Sequence, residues 1–73
     1  MTVVNILVQV TNGKQWTVSN KMKRIEGVER SDVMSGTYDI IALAQVAERD
    51  LSRLLARIHD LPGVVETELC VAL

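Results

Sequence analysis

Residues 61–70, LPGVVETELC, place an apolar residue, a spacer and then Gly-Val where a helical pattern gives way to an extended one. Residues 25–34, IEGVERSDVM, repeat that arrangement. A glycine suits the exit from a helix and a β-branched valine suits the start of a strand. Two such joints divide the 73 residues into halves of the same plan.

Upstream of the first joint, TVVNILVQV alternates, with Val4, Ile6, Val8 and Val10 on one face and Val3, Asn5, Leu7 and Gln9 on the other. This predicts a strand over residues 2–10. Asn12-Gly13 breaks it, and Val18, Met22 and Ile25 then recur at i, i+4 and i+7. That spacing predicts a helix over 14–25, capped by Gly27. VERSDVMS, residues 28–35, reads as a half-polar second strand, Ser35-Gly36-Thr37 as a hairpin turn, and YDIIALAQV, residues 38–46, as a third strand apolar on both faces.

Downstream, residues 49–59 set Leu51, Leu54, Leu55 and Ile58 on one side of a helix and Arg49, Arg53 and Arg57 on another. Pro62-Gly63 stops this helix, and VVETELCVAL, residues 64–73, forms a fourth strand. The order βαββαβ predicts one α+β domain over 1–73. It is a ferredoxin-like sandwich, an antiparallel four-stranded sheet with both helices on one face.

A domain of this size has a thin stability margin. The single cysteine, Cys70, precludes an internal disulfide, and with His59 it makes too few soft ligands for a structural metal. Hydrophobic residues are 48% of the chain and the mean hydropathy is +0.20, more apolar surface than one small core hides. The sheet face away from the helices is therefore expected to pack on a second sheet, in a face-to-face dimer of the dimeric α/β-barrel type. A net charge of −1 argues against a nucleic-acid-coating surface. No run approaches the length of a membrane helix and no secretory leader is visible, so a cytoplasmic location is expected.

Chemistry-bearing residues are sparse. His59 suits the last turn of the second helix, where its partial charge complements the helix dipole. Cys70 reads as a small buried hydrophobe. Lys14, Lys21, Lys23 and Arg24 read as a solvated helix face. Trp16 is either an anchor between subunits or a helix-packing residue. Asp32, Glu29 and Glu66 suit outward or cross-strand positions. Asp39 follows a glycine-containing turn and precedes an apolar strand, so it is either a turn acid or the acid that takes the ammonium of a zwitterionic ligand, with turn N–H groups taking the carboxylate. No catalytic constellation and no cofactor are expected.

SGTYDIIALAQV, the Leu-rich helix after it and LPGVVETELCVAL together resemble the C-terminal effector (RAM) domain of the Lrp/AsnC, or leucine-responsive/feast-famine, transcriptional regulators. The resemblance covers essentially the whole chain, and its most specific parts are the Gly-x-Tyr-Asp turn at Gly36, Tyr38 and Asp39 and the Leu-Pro-Gly-Val joint at 61–64. It implies dimers joined into octamers or decamers, and an amino acid bound between dimers by the turn before the third strand and part of the fourth. Carried over, the ligand-binding residues are Ser35, Gly36, Tyr38, Asp39, Thr67 and Leu69. Thr67 matches the first position of a Thr-x-Thr pattern whose second position is here Leu69, lacking the hydroxyl. The chain opens directly on its first strand without a DNA-binding helix-turn-helix, so it is expected to be a stand-alone, non-enzymatic module that binds no DNA itself. Its expected partners are copies of itself and a full-length Lrp/AsnC regulator. The alternatives are an ACT-like regulatory domain using Gly13, a small ferredoxin-like dimeric enzyme, and a purely structural oligomer.

Overall fold

The alternating run at the start of the chain forms β1, Thr2–Val10, in a computed structural model that describes residues 1–71. The other elements are α1 (Gln15–Met22), β2 (Val28–Val33), β3 (Ile40–Val46), a 3-10 turn at Glu48–Asp50 leading into α2 (Leu51–His59), and β4 (Val64–Val71). The strands form one sheet in the order β2-β3-β1-β4, with every neighbouring pair antiparallel. This is the expected βαββαβ ferredoxin-like arrangement. Ala72 and Leu73, the expected end of the fourth strand, lie outside the described residues.

The period-two pattern of β1 decides which face is buried. Val4, Ile6 and Val8 are essentially inaccessible, as are Ile40, Ala42 and Ala44 of β3. Val18 and Met22 of α1, and Leu54 and Ile58 of α2, close over them. Fully burying a side chain such as Ile58 stabilises by about 1.5–3 kcal/mol. A hydrogen bond of 2.7 Å between the buried hydroxyls of Ser19 and Ser31 ties α1 to β2.

Several boundaries differ from the sequence-based expectation: β2 ends at Val33 rather than at residue 35, and α2 begins at Leu51 rather than at residue 49, the preceding Glu48–Asp50 being a 3-10 turn. The first helix ends at Met22 rather than at residue 25. Beyond it the Arg24 N–H donates to the Lys21 carbonyl at 3.1 Å and the Ile25 N–H to the Met22 carbonyl at 3.0 Å, the tighter three-residue spacing that often closes a helix. Ile25 therefore reaches the core from this turn, not from the helix. Gly27 is not the helix cap: with φ +99° it turns the chain onto β2, and a β-carbon there would overlap Val46. The third strand likewise begins at Ile40 rather than at residue 38, so the connection to β2 is a loop over 34–39 and is longer than Ser35-Gly36-Thr37. It is pinned by the Met34 N–H on the Asp39 carbonyl at 2.8 Å and the Asp39 N–H on the Val8 carbonyl at 2.9 Å.

The other sheet face is covered by no helix. Cross-strand pairing sets Leu7 of β1 opposite Ile41 of β3 and Glu68 of β4, and Asn5 opposite Leu43 and Cys70. Arg30 and Asp32 of β2 flank Leu43 and Ile41. An apolar strip of Val3, Leu7, Ile41 and Leu43 thus runs between charged edges.

Candidate functional site

The 34–39 loop sits at one end of this uncovered face, and three side-chain hydrogen bonds bind it to β1 and β4. Asp39 turns its carboxylate back on β1, where Oδ2 accepts from the Val10 N–H at 2.9 Å. Gln9 reaches the loop from β1, its Nε2 donating to the Thr37 carbonyl at 2.8 Å. The Tyr38 hydroxyl donates to Glu68 Oε1 at 2.9 Å, so the ring crosses β1 to reach β4. The first contact decides how Asp39 is described: it is a part-buried acid with one oxygen committed to the fold, not a freely solvated turn residue.

The Glu68 carboxylate that accepts from Tyr38 raises the phenol above its ordinary value, with smaller contributions from desolvation and from the charges of Glu68, Glu66 and Cys70. Tyr38 accordingly stays neutral and a donor across the physiological range. Glu68 also lies 4.0 Å from the Cys70 sulfur, which places Cys70 on the uncovered face, half-buried rather than in the core as its sequence context suggests. The reason is register: Cys70 pairs with Asn5, not with the core residue Val4 or Ile6.

The six residues singled out in the sequence do not converge within one chain. Ser35 and Gly36 are exposed in the loop, Gly36 at φ +134° with open space where a β-carbon would stand, and Tyr38 and Asp39 complete that group. Thr67 pairs with Val8 and Leu69 with Ile6, so both face the helix layer, and Leu69 packs against the core. They also lie two strand spacings from β3, about 10 Å. The contacts that sequence reasoning missed are Gln9, the Val10 N–H and Glu68. Only the alternation of β1, which put Gln9 outward, could have pointed to one of them.

Elsewhere on the uncovered face, Asn5, Arg30, Asp32, Ile41 and Leu43 line a shallow groove of about 270 Å³. Arg30 and Asp32 pair there at 3.1 Å. No group of three or more His, Cys, Asp or Glu residues able to hold a metal occurs among the described residues. No helix among them is long and apolar enough to cross a membrane. Trp16 is 70% exposed on α1, so it does not pack within its own subunit.

No protein-family model matches the chain, and no curated protein matches it. Solved structures do. FFRP-DM1 superposes with a TM-score of 0.92 at 25% identity, covering 100% of both chains. Hypothetical protein PHS023 from Pyrococcus horikoshii gives 0.91 at 25% identity, covering 100% of this chain and 90% of that one. TTHA0845 from Thermus thermophilus gives 0.93 at 21% identity, covering 100% and 94%, a likeness of fold. In the order of its elements and along its whole described length, the chain is a close structural match to FFRP-DM1 and PHS023, and its fold is that of the RAM-like effector domains.

Proposed function

We propose that this chain is an amino-acid-binding effector module that works as an oligomer and carries no enzymatic activity. The observation that carries the reading is the Gly36–Asp39 loop, held to β1 by Asp39 and Gln9 in a chain that matches FFRP-DM1 from end to end. Asp39 spends one oxygen on Val10 and keeps the other for a ligand ammonium; exposed N–H groups of the loop suit its carboxylate. Thr67 and Leu69 stand too far from this loop to share one small zwitterion with it in the same subunit. A site using all six residues therefore draws its two halves from different copies.

The uncovered sheet face supplies a means of association. Val3, Leu7, Ile41 and Leu43 are apolar, and a second sheet laid over them removes that strip from water. Regulation then runs through assembly: the amino acid favours one arrangement of copies, which passes to a DNA-binding regulator of the same family. Location in the cytoplasm belongs to the same proposal.

A thermal-shift screen against the twenty amino acids, run beside light scattering, tests the reading. A ligand that binds only the folded assembly raises Tm, by an amount set by its concentration over Kd. A rise for one or a few amino acids, in a particle of at least two chains, is the expected result. A monomer whose Tm no amino acid changes at millimolar concentration contradicts it.

A further inference from the structure

A cleft of about 370 Å³ lies at the opposite end of the sheet from the 34–39 loop. β1 separates the two, since Met1 lines the cleft and Val10 meets Asp39, a span of about 30 Å of extended chain. Ile25, Val46 and Leu54 form its apolar floor, and Arg49, Arg53 and Arg57 stand along one wall. Arg53 and Arg57 lie four residues apart on α2, the spacing that stacks side chains along one stripe of a helix, and Arg49 stands on the 3-10 turn that leads into it. Glu26 and Asp50 also line the cleft, yet neither lies within ion-pair distance of an arginine; the only ion pair among the described residues is Arg30–Asp32. Three guanidinium groups therefore face one concave surface with no carboxylate holding them.

We propose that this cleft binds a small organic anion carrying two or more phosphoryl or carboxylate groups. Guanidinium groups bind such oxygens through paired, charge-assisted hydrogen bonds, and a row of them suits a ligand with separated charges rather than one ion. The apolar floor suits a carbon framework between or beside those charges, and the volume falls at the lower end of small-molecule sites. Glu26, on the facing turn, disfavours a bare single anion and leaves an acceptor for a ligand hydroxyl or amine. The position makes this site independent of the loop proposed for the amino acid.

The test is an amide-resolved NMR titration of the full chain with sodium pyrophosphate and, in a separate arm, sodium citrate, at ionic strength matched by sodium chloride. Saturable shifts are expected at Gly27, Ala47, Arg49 and Arg53, and the tighter arm names the head-group. Arg53→Ala should weaken binding about tenfold, the loss of one charge-assisted contact. Arg24→Ala, an exposed cation outside the cleft, should leave it unchanged. Shifts no larger than those in chloride alone, or an equal loss in Arg24→Ala, overturn the proposal. Neither outcome depends on whether an amino acid binds at the 34–39 loop.

Discussion

The Asp39 carboxylate accepts the Val10 N–H at 2.9 Å while the Asp39 N–H donates to the Val8 carbonyl at 2.9 Å, so one residue holds the end of β1 from two sides. Asp39→Ala removes the acceptor and leaves a part-buried amide short of a partner, at a cost of about 1–2 kcal/mol. Asp39→Asn keeps an acceptor and removes the charge. Chemical denaturation should therefore find the alanine variant less stable than the asparagine variant, with Val10 amide exchange fastest in alanine. Asp39→Asn is accordingly the cleaner probe of ligand binding.

Tyr38 is the chain's single tyrosine, so its ionisation can be followed by ultraviolet absorbance without interference from another phenol. Because its value in the folded chain is raised, the Tyr38–Glu68 bond adds stability that is fully present below the ordinary phenol value of about 10. That stability is lost as pH rises through the raised value. Phenolate should appear later than in the unfolded chain, and Glu68→Gln should move its appearance to lower pH. An unchanged titration in Glu68→Gln would sink the assignment.

Ser19 and Ser31 share a buried hydrogen bond of 2.7 Å between α1 and β2. Replacing either with alanine strands the other hydroxyl, at about 1–2 kcal/mol. The double variant removes both polar groups and should cost less than the two single changes added together. Urea midpoints of the four proteins measure the difference; strict additivity would show that the hydroxyls do not depend on each other.

Gly27→Ala meets two penalties, the positive φ and overlap with Val46, whereas Gly36→Ala meets only the first. The Gly27 variant should lose about 2 kcal/mol or more and the Gly36 variant about 1. Thermal melting ranks them, and equal losses would contradict the packing described around Val46.

The sequence was explicit wherever one period dominated. Alternation in residues 2–10 and the leucine spacing in 51–58 each placed an element, because a face of either must be buried for the domain to fold. It was silent where backbone bonds overrule pattern. Ile25 continues the helical period yet enters the core from a turn, and Tyr38 and Asp39 look like strand residues while their bonds hold them in a loop. The site was half legible for the same reason. Gly36, Tyr38 and Asp39 are local and carried by a motif, but Glu68 and the Val10 N–H join them only through the β1–β4 and β1–β3 pairings. The Thr67 and Leu69 positions were read correctly as strand residues, and their facing away from Tyr38 follows from register, which no single strand encodes.

The uncovered face gives a direct test of association. Leu43→Glu places a charge in the apolar strip beside Asn5 and Arg30 without touching the core. Sedimentation should show a smaller particle than the unaltered chain gives, with the secondary structure retained. An unchanged particle would mean that copies meet elsewhere.

The most direct measurement is a calorimetric titration of the assembled protein with the amino acid that raises its Tm most, repeated on Asp39→Asn. The account predicts a saturable heat in the unaltered chain and its loss in Asp39→Asn at unchanged particle mass. Undiminished binding by Asp39→Asn, or no saturable heat with any amino acid, would contradict it.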